Sequence, residues 1–386
     1  MIIKQKPEDF VVEEIPLMEY LSTIRNVAQG KEEKIKEGNY AIFKIEKRGM
    51  NHFSMIAKLS KHFSVPEKDI GTAGIKDRNA VTKQYVSVLI NQKNKNTVLE
   101  FPILAKVEIE HADDQKLSAI IVGVAKERIT TGLLAGNSFN ITIKELDKSE
   151  SDSINKSLDF YRKNRRYVVP NYFGTQRFGN NNSNAIVGYH ILKKEFAKAV
   201  REIEAQNSWL PEGHADMDAL NALNQVSRKK RMLYVSALQS LLFNLELRKK
   251  ILGKDALEEV KDIENNDDKI RKLTEIAVQY EYLNEENMQT AIETIGKENE
   301  MAVCGFNTNS DSYAAGLLSE IGLTPRDFAI RQMPDLMFDE HPRSAYVRLE
   351  NLRIIIDTNS KEAETSFYLV KGSYATNAVS QLITFQ

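Results

Sequence analysis

One cysteine, Cys304, stands in 386 residues. It can form no internal disulfide, so a cysteine-stapled scaffold and a four-cysteine zinc site are excluded and a reducing compartment is expected. The ordinary use of such a residue is as a small buried hydrophobe. The opening MIIKQKPEDFVVEEIP holds no apolar stretch long enough for a signal peptide, and no segment approaches a membrane span, so a cytoplasmic location without membrane contact is expected. Charge of one sign is missing as well. The 53 basic and 54 acidic residues nearly cancel, and net charge alone gives no ground for a polyanionic partner.

Two catalytic signatures are also missing. Gly71-Thr72-Ala73-Gly74-Ile75-Lys76-Asp77 resembles a phosphate loop, but that motif needs four residues between its glycines and Ser or Thr after the Lys. No serine-centred nucleophile elbow occurs. The six histidines are scattered, and only His111 near Asp113 and Asp114, and His214 near Asp216 and Asp218, stand beside carboxylates. Without a third ligand in view, each reads as a surface cluster, and no metal is expected.

What is present describes a folded protein of two or three domains: apolar residues make up 42%, charged residues 28%, and there are 16 Phe and 14 Tyr. The first part alternates strands and helices. Tyr40 to Arg48 puts Ala41, Phe43 and Ile45 on one parity, Asn51 to Phe63 has helical spacing, and Gln84 to Ile90 is apolar on both parities and so buried on both faces. With Ala105 to His111, Ala119 to Val124 and Ser138 to Ile143, these predict a four- to six-stranded mixed sheet. From about Ser149 the pattern turns helical. Between about 168 and 343 it stays mainly helical, including a run from Met217 to Leu252 stopped by Gly253. Strand character returns at Arg353 to Ile356 and Thr365 to Val370, before a helical end at Tyr374 to Thr384. A helical unit inserted into an α/β domain explains that order, with boundaries at 1–167, 168–344 and 345–386.

Charge distribution is more informative than its sum. Tyr161 to Arg177 holds Arg162, Lys163, Arg165, Arg166 and Arg177 without an acid, interleaved with Tyr161, Tyr167, Tyr172 and Phe173, as a surface facing phosphates and bases would. Asp255 to Asp268 holds seven acids against Lys261 and reads as a solvated face turned from any polyanion. The second concentration of chemistry is GTAGIKDRNAVTKQYVSV, Gly71 to Val88, which sets Asp77 between Lys76 and Arg78 in a glycine-flanked turn feeding an apolar strand. Adjacent cations favour the ionised carboxylate, and a strand-edge turn can present it to a ligand. On these residues alone, a Lys-Asp-Arg surface turn that caps the strand is the stronger reading.

That segment resembles the signature of the TruD family of tRNA pseudouridine synthases, AG.KD..AVT.Q, which contains a catalytic aspartate. Five further blocks agree, in family order: KQKPEDFVVEEI (Lys4 to Ile15), GLLAGNSFNI (Gly132 to Ile141), VPNYFGTQRFG (Val169 to Gly179), YVSALQSLLFN (Tyr234 to Asn244) and FYLVKGSYAT (Phe367 to Thr376). The resemblance implies a mixed α/β pseudouridine-synthase domain with permuted strand order and an inserted, mainly helical domain. It implies that Asp77 is the catalytic aspartate in converting uridine to pseudouridine in tRNA, the family target being position 13 in the D arm. No cofactor, metal or nucleotide is implied, and a monomer is expected. By the same resemblance Phe139 stacks on the target base, although periodicity alone makes it a core residue beside Ile141 and Ile143. Asn137 is the active-site Asn, bonded to the aspartate or to the base edge. Lys4, Lys76 and Arg78 contact phosphate or pair with Asp77, and Asn171, Phe173, Gln176 and Arg177 line a cleft between domains where Arg165 and Arg166 help grip tRNA. The chain departs from the family pattern at Gly132-Leu133-Leu134, at Arg343-Ser344 and at Leu369-Val370-Lys371. Another RNA substrate, or a noncatalytic RNA-binding module on this fold, is the alternative.

Overall fold

The computed structural model describes residues 1–25, 39–99, 106–112, 114–206, 208–296, 298–357 and 359–386. Ala105, which opens one expected strand, and Asp113, one expected partner of His111, lie outside the described residues. By compactness the chain divides into two units, Met1–Arg165 with Leu349–Gly372, and Arg166–Arg348 with Ser373–Gln386. The terminal helix Ala375–Thr384 thus groups with the second unit, where the sequence pattern had placed it with the first.

The strands are β1 (Phe10–Pro16), β2 (Tyr40–Arg48), β3 (Ile70–Thr72), β4 (Val81–Leu89), β5 (Val107–His111), β6 (Lys116–Ala125), β7 (Leu134–Ile143), β8 (Val168–Pro170), β9 (Glu300–Val303), β10 (His341–Ser344), β11 (Tyr346–Arg348), β12 (Glu350–Asp357) and β13 (Glu362–Val370). The first unit is built on one mixed sheet in the order β12-β13-β7-β1-β4-β2-β6-β5, with β3 paired to β4. Among the described residues only β1 and β4 run parallel in this sheet; the other pairs are antiparallel. The fold class is the expected mixed α/β one, but among the described residues the sheet has nine strands rather than four to six. The strands overlooked are β1 and β3. In β1 the buried parity runs Phe10, Val12, Glu14, Pro16, and a buried carboxylate followed by proline hides the alternation.

Helix α1 (Met18–Thr23), α2 (His52–Phe63), α3 (Lys95–Leu99) and α4 (Lys148–Asn164) complete this unit. Asn51 caps α2 by accepting the Ser54 N–H at 2.8 Å, and its apolar stripe (Met55, Ile56, Leu59, Phe63) packs on Phe43, Ile45, Val86 and Val88 of the central strands. Strand β4 has no exposed position, as a central strand covered on both faces requires.

In the second unit α5 (Thr175–Phe178), α6 (Asn184–Leu192), α7 (Phe196–Ala205), α8 (Ala219–Gln225) and α9 (Arg228–Leu252) form the start of a mainly helical assembly. The expected single helix from Met217 to Leu252 is two, because Val226 and Ser227 are extended and Ser227 starts α9 afresh. Gly253, left-handed at φ 68°, stops α9 as expected. Helix α6 is buried all round and lies on α9, where Gly188 faces the Tyr234 carbonyl so closely that a Cβ would stand 2.2 Å from its oxygen. Among the described residues no helix is long and apolar enough to cross a membrane. Cys304 is buried, and burial pushes its thiol up to about 11, so it is the inert hydrophobe expected.

Candidate active site

The site begins with the N-terminal block. Pro7 opens a single helical turn, and Asp9 folds back to accept the Lys6 N–H at 2.8 Å while pairing with Lys144 at 2.8 Å. Burial opposes the Asp9 charge most strongly, but the Lys144 bond, the Lys6 N–H and the charges of both lysines together outweigh it and hold the carboxyl below the usual range. This turn fixes the start of β1, and just before it Lys4 takes a left-handed backbone, φ 64°. From there its Nζ reaches 2.5 Å from Asp77 Oδ2 and 4.0 Å from the centre of the Phe10 ring.

Asp77 lies in the turn that joins β3 to β4, with its side chain 39% exposed. The parallel pairing of β1 with β4, Val11 opposite Val81, puts this turn beside the entry to β1. So the cation that pairs with Asp77 comes from 73 residues away, not from the adjacent Lys76 or Arg78. Lys76 turns inward, donating to Asn137 Oδ1 at 2.6 Å and standing 3.0 Å from Glu14 Oε1. Arg78 is exposed and, among the described residues, forms no ion pair.

Register explains the rest. Antiparallel pairing of β1 with β7 sets Glu14 opposite Asn137 and Val12 opposite Phe139; β13 sets Phe367 opposite Phe139. Glu14 is 1% exposed, and its other oxygen accepts the Tyr85 N–H at 3.1 Å. Burial raises its pKa, against the pull of Lys76. Phe139 is 7% exposed, edge-on to Phe10 with centroids 6.0 Å apart and tilted against Phe367 at 5.5 Å. Asn137 therefore bonds Lys76 rather than Asp77, and Phe139 sits in an aromatic cluster whose Phe10 member also touches the Lys4 ammonium.

Two groups in this setting were not legible as functional: Glu14 and Lys47. Each is a charge on the buried parity of its strand, and that misplacement is the signal by which they could have been found. Lys47 is fully buried and donates to the Met50 and Asp77 carbonyls.

The remaining candidates fall elsewhere. Arg165 is an exposed left-handed residue ending α4, and Arg166 is exposed and begins the second unit. Tyr167, Tyr172 and Phe173, expected to face bases, are buried in that unit. Phe173 is held by Asn244, which accepts its N–H at 2.9 Å and donates to its carbonyl at 3.1 Å, and it carries the Arg343 guanidinium 3.9 Å above its ring. Asn171 is buried too, its Oδ1 accepting from Arg343 at 2.8 Å. Gln176 is exposed, and Arg177 is half-buried and bonded to Ser236. Thus Asn171 and Phe173 are built into the second unit, while Gln176 keeps its side chain open.

His214 pairs with Glu204 rather than Asp216 or Asp218, and His111 with Glu108. His190, Glu195 and Asp267 do converge, but Lys198 Nζ stands 3.2 and 2.8 Å from the two carboxylates and supplies the positive charge a metal would.

A family model described as tRNA pseudouridine synthase D (TruD) matches residues 1–209 and 208–381. The chain belongs to that family. Relatives described as tRNA pseudouridine synthase D include one from Syntrophotalea carbinolica, 25% identical over 99% of this chain and 95% of its own, and one from Sulfurimonas denitrificans, 26% identical over 98% and 94%. A Thermococcus onnurineus protein described as a probable tRNA pseudouridine synthase D is 34% identical over 52% of this chain and 41% of its own. The fold is similar to that of a Methanosarcina mazei protein crystallised as a candidate tRNA pseudouridine synthase D, with a TM-score of 0.60 at 20% identity over 99% of this chain and 93% of that one.

Proposed function

We propose that this protein isomerises uridine to pseudouridine in tRNA, at position 13 in the D arm, with Asp77 as the catalytic carboxylate. The observation that carries the reading is the Lys4–Asp77 pair, half open to solvent, set against the ring of Phe10 and through it the Phe139 cluster. Glycosidic cleavage builds oxocarbenium-like charge on the sugar, and a fixed anion beside C1′ stabilises it. The uridine leaves its stack, because C1′ is not reachable inside folded RNA. Asp77 then attacks C1′ or removes a sugar proton, and the N1–C1′ bond breaks. The uracil turns, C5 joins C1′, the C5 proton leaves and N1 gains one. Atoms balance with no second substrate, and no cofactor is proposed.

In this reading Lys4 holds the carboxylate in place, Phe139 supports the flat face of the base as it turns, and Lys76 with Asn137 and Glu14 fixes the floor of the turn. The catalytic domain is the unit of Met1–Arg165 with Leu349–Gly372, and the inserted domain is the mainly helical unit with which the terminal helix groups. Exposed Arg165, Arg166 and Gln176, with Arg177, contact tRNA. One chain supplies every group named, and the enzyme works where tRNA is processed, in the cytoplasm.

The test is to incubate the protein, without added metal or nucleotide, with unmodified transcribed tRNA and to map pseudouridine by carbodiimide adducts and primer extension. One adduct at a D-arm uridine is expected, absent with Asp77→Asn. Adducts at another position, or only on another RNA, would overturn the substrate assignment, and tight binding with no adduct on any RNA would favour the noncatalytic module.

A further inference from the structure

The turn that carries Asp77 has little regular structure of its own. Between the end of β3 at Thr72 and the start of β4 at Val81, its backbone makes one hydrogen bond within the turn among the described residues, Ala80 N–H to the Arg78 carbonyl at 2.9 Å. Ile75 beside it is 72% exposed. Something other than backbone bonding must hold the Asp77 peptide in one place, since a reacting group displaced by about 1 Å can lose roughly 100-fold in rate.

Lys47 is placed to do this. It lies near the end of β2 on the parity of Ala41, Phe43 and Ile45, where an apolar side chain is the rule. Its Nζ donates to the Asp77 carbonyl at 2.6 Å and the Met50 carbonyl at 2.7 Å, with the Lys76 carbonyl at 3.5 Å. The Met50 carbonyl belongs to the tight turn at Gly49, φ 64°, between β2 and α2. One buried ammonium therefore ties the catalytic turn to the turn that starts α2, and it does so through peptide carbonyls while Lys4 occupies the Asp77 carboxylate.

We propose that Lys47 is a positioning residue for the isomerisation: its protonated amine holds the Asp77 peptide and thereby sets the carboxylate against the sugar. The inference rests on the reading of Asp77 as the catalytic group. The charged groups that face Lys47 are Asp77, which favours its protonated form, and Lys76, which opposes it; His52, at the start of α2, is itself pushed down by burial and then by Lys47 and Lys76. Burial dominates at Lys47 and brings it down to about 8. Below that pH the ammonium offers three N–H groups to the three carbonyls; above it the neutral amine keeps two and loses its charge, so the hold weakens.

The experiment measures single-turnover tritium release from C5-tritiated tRNA, from about pH 6.5 to about pH 9.5, for the wild type, Lys47→Met, Lys47→Gln and Asp77→Asn, with tRNA affinity and melting recorded for each. Lys47→Met is expected to bind tRNA within about twofold of wild type and to lose about 100-fold in rate. The wild-type rate is expected to fall on the alkaline side with a midpoint near 8, and that limb to be absent in both Lys47 variants. A limb arising from the RNA would persist in them. If neither variant folds, the wild-type profile decides, and a rate flat through pH 8 overturns the proposal. A folded Lys47→Met with the wild-type rate, alongside an inactive Asp77→Asn, overturns the role of Lys47 alone. An active Asp77→Asn overturns the catalytic assignment, and the role of Lys47 with it.

Discussion

At Asp77 the proposed chemistry depends on three side chains from outside its turn, two bonded to Asp77 and the third behind Lys4. Lys4 supplies the counter-charge, Lys47 the hold on its peptide, and Phe10 the apolar wall behind the Lys4 ammonium. Phe139 is where a structural and a functional role are hardest to separate, since it is both a core ring and the expected base platform. Phe139→Ala should cost about 3–5 kcal/mol in a urea melt, as large buried aromatics do. If the ring also supports the base, the folded variant at low temperature should isomerise at least roughly tenfold more slowly at unchanged tRNA affinity. A normal rate in a destabilised but folded variant would return Phe139 to the core alone. Asp77 itself could be named from its motif, because the block GTAGIKDRNAVT is contiguous. The motifs left Lys4, Lys76 and Arg78 as equal candidates to pair with it, and the choice of Lys4 is made only once β1 and β4 pair in parallel.

Among the elements, β1 shows why sequence pattern reaches some of the fold and not the rest. Strands such as β2 and β7 announce themselves by alternation, whereas β1 breaks its alternation to bury Glu14 opposite Asn137. A local rule broken in this way marks a site rather than an error. The same logic corrects the basic stretch after α4. Tyr167, Tyr172 and Phe173 looked like a base-facing surface, yet they are core, with Phe173 held by Asn244 and Tyr172 by Asn377, which donates to its carbonyl at 2.9 Å; Tyr161 alone stays half-buried. In the second unit, close approach of α6 to α9 gives an element-scale prediction. Gly188→Ala must push α6 off the Tyr234 carbonyl and should destabilise that unit by about 1–3 kcal/mol, read as an earlier melting transition. Unchanged melting would mean that the two helices separate freely.

Over the whole molecule, net charge of −1 conceals where a polyanion would bind. The order of elements did reveal a helical segment inserted between strand-rich ends, because β12 and β13 rejoin the sheet next to β7. The exposed Arg165 and Arg166 mark the change from one unit to the other. If both contact phosphates, Arg165→Ala with Arg166→Ala should weaken tRNA binding and reduce the slope of log affinity against log salt by about 2. An unchanged slope would remove them from the RNA-binding surface.

The central claim is that Asp77 drives isomerisation without acting as the chief tRNA contact. Tritium release from C5-tritiated tRNA under single-turnover conditions tests it most directly, because the C5 proton leaves only when C5 joins C1′. Asp77→Asn should bind tRNA within about threefold of wild type and release tritium at least about 1,000-fold more slowly. Release at the wild-type rate by a folded Asp77→Asn would contradict the account.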